Sequence, residues 1–395
     1  MRIRRLQFRN IRNHVATRLE AAPGVNILTG RNGAGKTSVL EAISLCTLTK
    51  SFVGTPEAAL VRRGERTLDA TLELTSDYDV PRRIELRYEP GAGKSIWLDG
   101  TQAQSAAQVI GIAPTVVLSP DLKAITAGPP AERRRFIDMV MSQAKRRYLQ
   151  DLMQYRRLLK QRNELLSGAR RAGRPLDRAL IDPWDEGLIE RAAHLMYERT
   201  RFVEEFAPIF AATASQVATG AETVTLAYAP DASSTPQSSV DDYRDALWLR
   251  SRQVWSEEQR RGTTLFGAHR DDLRMEIDGG DVRTAASQGQ HKTLLIGLKI
   301  AEFQYLREQC AETPSILLDD IFQALDPERA RRVYDLTRGL AQVFITIGSL
   351  SLLPFMGDVA LGPDDAHFAI DRGEMIATDR DRADGNGDRI DSTFE

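Results

Sequence analysis

The sequence has little of several features that would narrow its class at once. Its 395 residues contain only two cysteines, Cys46 and Cys310, and neither belongs to a C-x-x-C pair. We therefore expect no disulfide framework and no zinc site, and a reducing cytoplasm suits such a chain. No apolar run approaches the roughly 18 residues of a membrane-spanning helix, and the first residues do not resemble a secretion signal, so no membrane partner is expected.

An excess of charge of one sign is also missing. The formal net charge is -2 at pH 7, so overall charge identifies no partner, and a nucleic-acid surface would have to come from local segregation of charge. Such segregation exists between Pro130 and Pro175, where 13 Lys or Arg residues face four acidic residues. The pattern predicts a basic helical surface that contacts phosphates, with a solvated charged helix face as the alternative.

The most informative motif is GRNGAGKT at residues 30–37, a complete G-x-x-x-x-G-K-[ST] loop. The apolar run 25–29 before it predicts a buried strand, and residues 38–45 after it have a helical period. In this context successive backbone amides curl around phosphates at a helix N-terminus. Lys36 would bring a positive charge to the outer phosphates and the Thr37 hydroxyl would ligate Mg²⁺. The sequence therefore predicts a protein that binds a nucleoside triphosphate.

A second motif for phosphate chemistry lies far downstream, where Ile-Leu-Leu precedes Asp319 and Asp320. A buried strand would deliver both carboxylates to its end, Asp319 to hold Mg²⁺ and Asp320 to orient or deprotonate the attacking water. Capping of a following helix is the alternative for these acids. The residues Ala-Leu-Asp-Pro at 324–327 predict a turn into a helix that begins at Glu328.

A third motif, ASQGQHK at residues 286–292, opens a predicted helix over residues 293–308. Backbone amides, a hydroxyl and amide side chains at a helix start suit an anion. A plain helix start without a ligand is the alternative.

The order of elements predicts a head that is interrupted by an insertion. We assign residues 1–120 and 262–371 to one nucleotide-binding head, and residues 121–261 to a helical arm or second lobe. In this lobe, two helices joined by a short basic turn are expected to be antiparallel, and a further helix is expected over residues 241–261. The tail, residues 372–395, is rich in Asp, Arg and Gly and is expected to be flexible.

In this order the loop, the Ser-Gln-Gly-Gln segment, the Asp-Asp strand and the Leu-Asp turn resemble an ABC-type ATPase head. A narrower resemblance is to the RecF family of recombination and repair ATPases, which is related to SMC heads. The blocks that carry it are LxFRNxRN at 6–13, SPDL at 119–122, GPPxERRxFxD at 128–138, YxxxLKQRN at 155–163 and GxHRDDL at 267–273. The resemblance implies an α/β fold, an ABC-type ATPase head (P-loop NTPase) with an inserted helical arm.

The resemblance also implies a function. Family members are cytoplasmic and use ATP and Mg²⁺; ATP-driven dimerisation clamps duplex DNA near single-strand gaps, and weak, DNA-stimulated ATP hydrolysis resets the clamp. The implied partners are RecR and RecO, which help RecA load. An SMC-like protein would need long heptad runs that this chain lacks, and a transporter-type subunit would have a much shorter interval between Lys36 and Asp319. An adaptor that only binds ATP stays open.

The resemblance assigns roles to single residues. Lys36 and Asp320 would be catalytic, Thr37 and Asp319 would bind the metal, and the Ser287 segment would act across a dimer interface on a partner's nucleotide. The expected nucleotide-binding residues are Arg12, Asn13, Gly30, Arg31, Asn32, Gly33, Ala34, Gly35, Lys36, Thr37, Ser38, Ser287, Gln288 and Gly289. For Arg12 a surface charge on an edge strand is the alternative. His269 and Arg270 are further candidates for ATP or DNA contacts, with a simple polar turn as the alternative.

The sequence departs from the common ABC pattern at three points. No switch histidine follows the predicted strand 343–347, where Thr346 is the nearest polar residue. No clear glutamine precedes Ser119 and Pro120. Asp320 is one methylene shorter than the glutamate common in ABC heads, which suits slow turnover.

Overall fold

The computed structural model describes residues 1–218, 222–233, 235–349 and 362–376. The chain divides into two compact units, the first made of residues 1–120 and the described part of 311–395, the second of residues 121–310. Residues 262–310 therefore group with the helical residues, whereas the sequence pattern predicts that they belong to the head. The reason is local packing, since the small sheet and the long helix in this stretch pack against the arm helices. The functional division into head and arm stays a prediction.

The described residues form the following strands, numbered along the chain: β1 (Arg2–Ile11), β2 (His14–Glu20), β3 (Val25–Thr29), β4 (Leu68–Thr75), β5 (Pro81–Glu89), β6 (Gly93–Leu98), β7 (Thr101–Gln102), β8 (Thr115–Leu118), β9 (Val224–Ala229), β10 (Asp272–Ile277), β11 (Gly280–Asp281), β12 (Ser315–Asp319), β13 (Val343–Ile347), β14 (Ala366–Asp371) and β15 (Glu374–Ile376). The α-helices in the same residues are α1 (Lys36–Leu48), α2 (Ala124–Ala127), α3 (Pro130–Ala144), α4 (Arg146–Arg171), α5 (Arg178–Val217), α6 (Val240–Arg261), α7 (Val282–Ala285), α8 (Gln288–Gln309) and α9 (Pro327–Arg338).

The first unit contains an antiparallel sheet in the order β2-β1-β4-β5-β6-β7. Its strands alternate apolar and polar residues, which places the apolar side chains on one face of the sheet. In β4, every second residue from Leu68 to Leu74 is buried, and the residues between them are half-buried. The buried face packs against α1, because a strand with one apolar face must cover that face with another element.

The second sheet of this unit has the order β15-β14-β3-β13-β12-β8. Five of its strands are parallel, and β15 pairs antiparallel with β14 at the edge. The central strands β3, β12 and β13 are buried along their whole length, which explains why their sequences are continuous apolar runs. Parallel strands end at the same edge of a sheet, so Thr29, Asp319 and Ile347 all lie at one edge.

The predicted tail begins inside this sheet. Residues 372–376 complete the β14–β15 hairpin, and residues 377–395, on which the rest of that prediction falls, lie outside the described part of the chain.

The second unit is built around α4 and α5, the two helices of the predicted arm. Ion pairs join Arg162 to Asp185 and Asp151 to Arg191, so residue numbers rise along one helix as they fall along the other. The helices are therefore antiparallel, as the sequence predicts.

Helix α8 packs against α5 at a point of close approach. A Cβ on Gly297 would lie 2.7 Å from the Cα of Ala214, and the Thr213 hydroxyl donates to the Gly297 carbonyl at 2.7 Å. The backbones meet because neither helix carries a large side chain there.

A buried arginine, Arg199 of α5, connects several elements of the second unit. Its guanidinium lies 2.8 Å from an Asp138 oxygen of α3 and 2.7 Å from Asp271, and it donates to the Tyr148 hydroxyl at 3.0 Å. Burial works against the charge of Arg199, but the surrounding tyrosines and carboxylates raise its pKa well above the usual value. Removing one partner of such a network leaves uncompensated buried charge.

We predict that Arg199→Met lowers the free energy of unfolding by about 3–5 kcal/mol, because Asp138 and Asp271 lose their shared cation. Urea unfolding measures the loss. Arg201→Met serves as the control, since Arg201 lies on the surface of the same helix and its change should leave the midpoint almost unaltered. Equal midpoints for the two variants would contradict the structural role of Arg199.

Candidate nucleotide site

The Gly-rich loop lies between β3 and α1, as the sequence predicts. Gly35 is the N-cap of α1 with φ of 116°, and Gly30 opens the loop with φ of 156°. A Cβ on Gly35 would lie 2.3 Å from Nε2 of His14, and one on Gly30 would lie 2.3 Å from the Ile370 carbonyl oxygen. Only glycine fits these positions, because both the backbone conformation and the neighbouring atoms exclude a side chain.

Two neighbouring turns hold the loop through its carbonyl groups. The side-chain amide of Asn13 donates to the Ala34 carbonyl at 2.9 Å, and the backbone amide of Gly373 donates to the same oxygen at 2.8 Å. His14 is fully buried and its Nε2 lies 3.0 Å from the Gly35 carbonyl oxygen, to which it donates. With its carbonyls bonded on this side, the loop is fixed at the start of a helix, where backbone amides are available to an anion.

The Lys36 side chain lies within the loop. Its ammonium donates to the carbonyl oxygens of Gly30 at 2.9 Å and of Arg31 at 3.3 Å, and the residue is almost completely buried. The positive charge that the motif predicts for phosphate binding therefore lies at the loop.

Thr37 and Asp319 are brought together although they are 282 residues apart in the sequence. The Thr37 hydroxyl donates to Oδ1 of Asp319 at 2.9 Å, and the Thr346 hydroxyl donates to the same oxygen at 2.7 Å. Burial raises the pKa of Asp319, and the hydrogen bonds from Thr346 and Thr37 oppose that rise. A hydroxyl and a carboxylate are hard oxygen ligands of the kind that suits Mg²⁺ bound together with phosphates.

Within the described residues, no group of three or more His, Cys, Asp or Glu side chains could hold an ion. Mg²⁺ in nucleotide sites is typically held by one or two protein oxygens and by substrate phosphates, so a fuller protein cage is not required.

Asp320 follows β12 in an unusual backbone conformation, with φ of 48°. Its backbone amide donates to the Thr346 hydroxyl at 2.9 Å, and its carboxylate accepts from the Gln323 side-chain amide at 3.1 Å. Asp320 is half-buried beside Asp319. The two acids thus lie at the end of one strand, as predicted. The hydrogen bonds that Thr346 and Gln323 form with them were not predicted.

Arg12 and Asn13 lie beside the loop, at the turn between β1 and β2. Arg12 donates to Oε1 of Glu41 at 2.8 Å, and Glu41 is fully buried in α1. Strand β1, which ends at Ile11, is an inner strand of its sheet. Arg12 follows it and is partly exposed, so the surface-charge alternative stays open. Their contacts are with the loop and α1; a direct role in nucleotide binding stays a prediction.

The Ser287 segment lies in the second unit, at the start of α8. Ser287 is the N-cap, and it forms a reciprocal capping box with Gln290 at distances of 3.2 and 2.7 Å. This capping box explains the serine without any ligand, in agreement with the alternative of a plain helix start. Ser287 and Gln288 are nevertheless exposed, and Lys123 donates to the side-chain oxygen of Gln288.

His269 and Arg270 are engaged inside the second unit. His269 Nδ1 lies 2.6 Å from the Tyr155 hydroxyl and its Nε2 lies 3.4 Å from the Thr264 carbonyl oxygen. Arg270 pairs with Asp231 at 3.2 Å. These contacts favour the polar-turn interpretation for His269, whose ring is packed against the arm.

His269 predicts a pH dependence of stability. Burial, with a smaller effect of nearby arginines, lowers the pKa of His269 to about 4 from the usual 6.5. Below about pH 6.5 the unfolded chain takes up a proton that the folded ring refuses, so this residue destabilises the fold increasingly between about pH 6.5 and 4, by up to about 1.4 kcal/mol per pH unit.

The test compares the parent with His269→Gln by urea unfolding at several pH values. The stability of the variant relative to the parent should rise as the pH falls through this window and should be constant above pH 7. His194→Gln controls for the loss of a histidine from the same unit. A difference that does not change with pH would refute the assignment.

The chain is similar to known proteins over most of its length. Residues 2–353 match the family model described as the RecF/RecN/SMC N terminal domain. The DNA replication and repair protein RecF of Salinibacter ruber is 38% identical over 339 residues, which cover 84% of this chain and 81% of the relative. The protein of the same name from Chlorobium phaeovibrioides is 37% identical over 358 residues, 90% of this chain and 95% of the relative.

A solved structure of the recombination mediator protein RecF-ATP in the RecFOR pathway is also similar. It is 28% identical, covers 95% of this chain and 98% of its own, and superposes with a TM-score of 0.86. Among the described residues of our chain, no helix is long and apolar enough to span a membrane. The family match confirms the ABC-type α/β ATPase fold that the loop and the paired acids predict. The chain belongs to the RecF family of DNA replication and repair proteins.

Proposed function

We propose that this chain is an ATP-driven DNA clamp of recombinational repair and replication restart. Two copies bind ATP and Mg²⁺, close on duplex DNA near a single-strand gap, and reopen after slow, DNA-stimulated hydrolysis. The observation that carries the proposal is the convergence of Thr37, Asp319 and Asp320 beside a complete phosphate loop. A related structure is named for RecF with ATP, which supports ATP as the nucleotide.

The chemistry within one copy follows from the residues in place. The loop amides and Lys36 bind the phosphates, while Thr37 and Asp319 hold Mg²⁺, which neutralises charge on the phosphate oxygens. Asp320 orients the attacking water or takes its proton. Since its carboxylate is one methylene shorter than glutamate, we expect weak turnover.

A second copy of the chain would contact the side of the nucleotide that faces away from the phosphate loop. The capping box uses the backbone amides of Ser287 and Gln290. The backbone amides of Gln288 and Gly289, in the first turn of α8, take no part in this box. Exposed amides at the start of a helix suit the γ-phosphate held by the other subunit. ATP would then join the two copies, and hydrolysis would release them.

The basic arm is the proposed DNA surface. Among the described residues, Arg146, Arg157, Arg171 and Arg174 are exposed and their side chains form no hydrogen bond or ion pair, so they are available to DNA phosphates. Such contacts position duplex or junction DNA without reading its sequence. The RecFOR pathway named for the related structure supports RecO and RecR as partners. We expect the chain to act in the cytoplasm.

Ser287→Arg tests the dimer. We expect the variant to bind ATP like the parent but to remain monomeric by light scattering, because the arginine blocks the approach of the second copy. Ser239→Arg is the matched control: it removes an N-cap from α6, far along the sequence from the proposed interface, and should still dimerise. Dimerisation of the Ser287 variant with ATP would refute the cross-subunit role.

Asp320→Asn tests hydrolysis and separates the clamp from an adaptor that only binds ATP. Losing the water-activating carboxylate should lower kcat by at least about a hundredfold while Mg·ATP binding is retained, so the dimer should persist. A steady-state ATPase assay with gapped DNA, paired with light scattering, measures both. Unchanged turnover would show that another group activates the water.

The arm prediction uses the salt dependence of duplex binding. Changing Arg157, Arg171 and Arg174 together to Ala should reduce the slope of log affinity against log salt by about 0.9 for each DNA phosphate that is no longer neutralised. The control changes Lys145, Arg191 and Arg244, which already pair with acids, and should alter the slope less. If the first set leaves the slope unchanged with an intact fold, the DNA path lies elsewhere.

A further inference from the structure

The Thr346 hydroxyl bridges the two acids of the site. Thr346 lies in β13, fully buried, directly opposite Asp319 of β12 in the parallel register. Its hydroxyl donates to Oδ1 of Asp319 at 2.7 Å and accepts from the backbone amide of Asp320 at 2.9 Å. A hydroxyl has one hydrogen to donate and lone pairs to accept, so one group satisfies both contacts at once.

The amide that Thr346 holds belongs to a strained residue. Asp320 has φ of 48°, in the left-handed region, which is an unfavourable conformation for a residue other than glycine. Such a conformation persists only when neighbouring groups fix it. Among the described residues, the Asp320 carboxylate has a single side-chain partner, Gln323 at 3.1 Å, so the backbone contact largely determines where this carboxylate points.

The other contact concerns the metal ligand. Oδ1 of Asp319 receives two hydroxyl hydrogens, one from Thr37 in α1 and one from Thr346. The second fixes the rotation of the carboxylate relative to the sheet, because β13 is the adjacent strand. Valine has nearly the same shape as threonine and would fill the same space, so packing alone does not call for a hydroxyl at this buried position.

We propose that Thr346 is a positioning residue that sets Asp319 and Asp320 as one unit, holding the metal ligand and the water-activating carboxylate in fixed relation. It takes no part in the reaction itself and acts through the two acids. The inference rests on the proposed ATPase function, and it gives β13 a role in a chain in which Gly348 and Ser349, and no histidine, directly follow that strand.

The test compares Thr346→Val with Thr346→Ser. The valine variant keeps the shape but loses both hydrogen bonds, and we expect kcat for ATP to fall about tenfold to a hundredfold through misplacement of Asp320. Calorimetry should show unchanged ADP binding without Mg²⁺ and a higher Mg²⁺ concentration for half-maximal binding of a non-hydrolysable ATP analogue. The serine variant keeps the hydroxyl, so its kcat and its Mg²⁺ requirement should both lie within about twofold of the parent values.

Two further variants keep the test decisive. Thr47→Val removes another buried hydroxyl from the same unit, one that bonds only within α1, and should hydrolyse ATP like the parent. If thermal melting shows that Thr346→Val does not fold, Thr346→Cys, whose thiol is a weak hydrogen-bonding group, replaces it with the same expected result.

The outcomes are distinct. Parent-like hydrolysis by the valine or cysteine variant, or a serine variant as impaired as valine, would overturn the role of the hydroxyl. A parent protein that hydrolyses no ATP with or without DNA would instead overturn the proposed function on which the inference rests.

Discussion

The structure of the first unit depends on one buried carboxylate oxygen. Oδ1 of Asp319 accepts from Thr37 at the start of α1 and from Thr346 in β13, so a single atom joins the phosphate loop helix to two core strands. Because burial raises the pKa of Asp319, an ionised carboxylate here needs its hydroxyl donors or a cation. That requirement makes the position suitable for a divalent metal.

The phosphate loop is likewise fixed by residues remote from it in sequence. Asn13 and His14 hold its carbonyls from the β1–β2 turn, and Gly373 holds Ala34 from the β14–β15 turn. A Cβ on Gly373 would lie 2.5 Å from the Asn13 carbonyl oxygen, so the two turns also meet each other. The site is therefore complete only when the early and late parts of the first unit have folded together.

Sequence patterns predicted those parts of the site that follow from local chemistry. A motif predicts the glycine loop and the acids at the end of β12. A run of apolar residues predicts the buried strand before the loop. The partners His14, Glu41 and Gly373 have no such signal, because a buried polar residue is recognised only by what the fold brings beside it. The sequence identifies Thr346 only as the polar residue nearest to the position where many ABC ATPases have a switch histidine. Its two hydrogen bonds depend on the register between β12 and β13, which the sequence does not show. The grouping of residues 262–310 with the arm helices depends on tertiary packing in the same way.

We propose that Mg²⁺ and a nucleoside triphosphate, bound at the Thr37 and Asp319 pair, draw two copies together. Sedimentation velocity with ADP, with a non-hydrolysable ATP analogue, and with that analogue after removal of Mg²⁺ tests it most directly. We expect a dimer only with the analogue and Mg²⁺ together, and a monomer in the other two conditions. The same oligomeric state in all three conditions would contradict it.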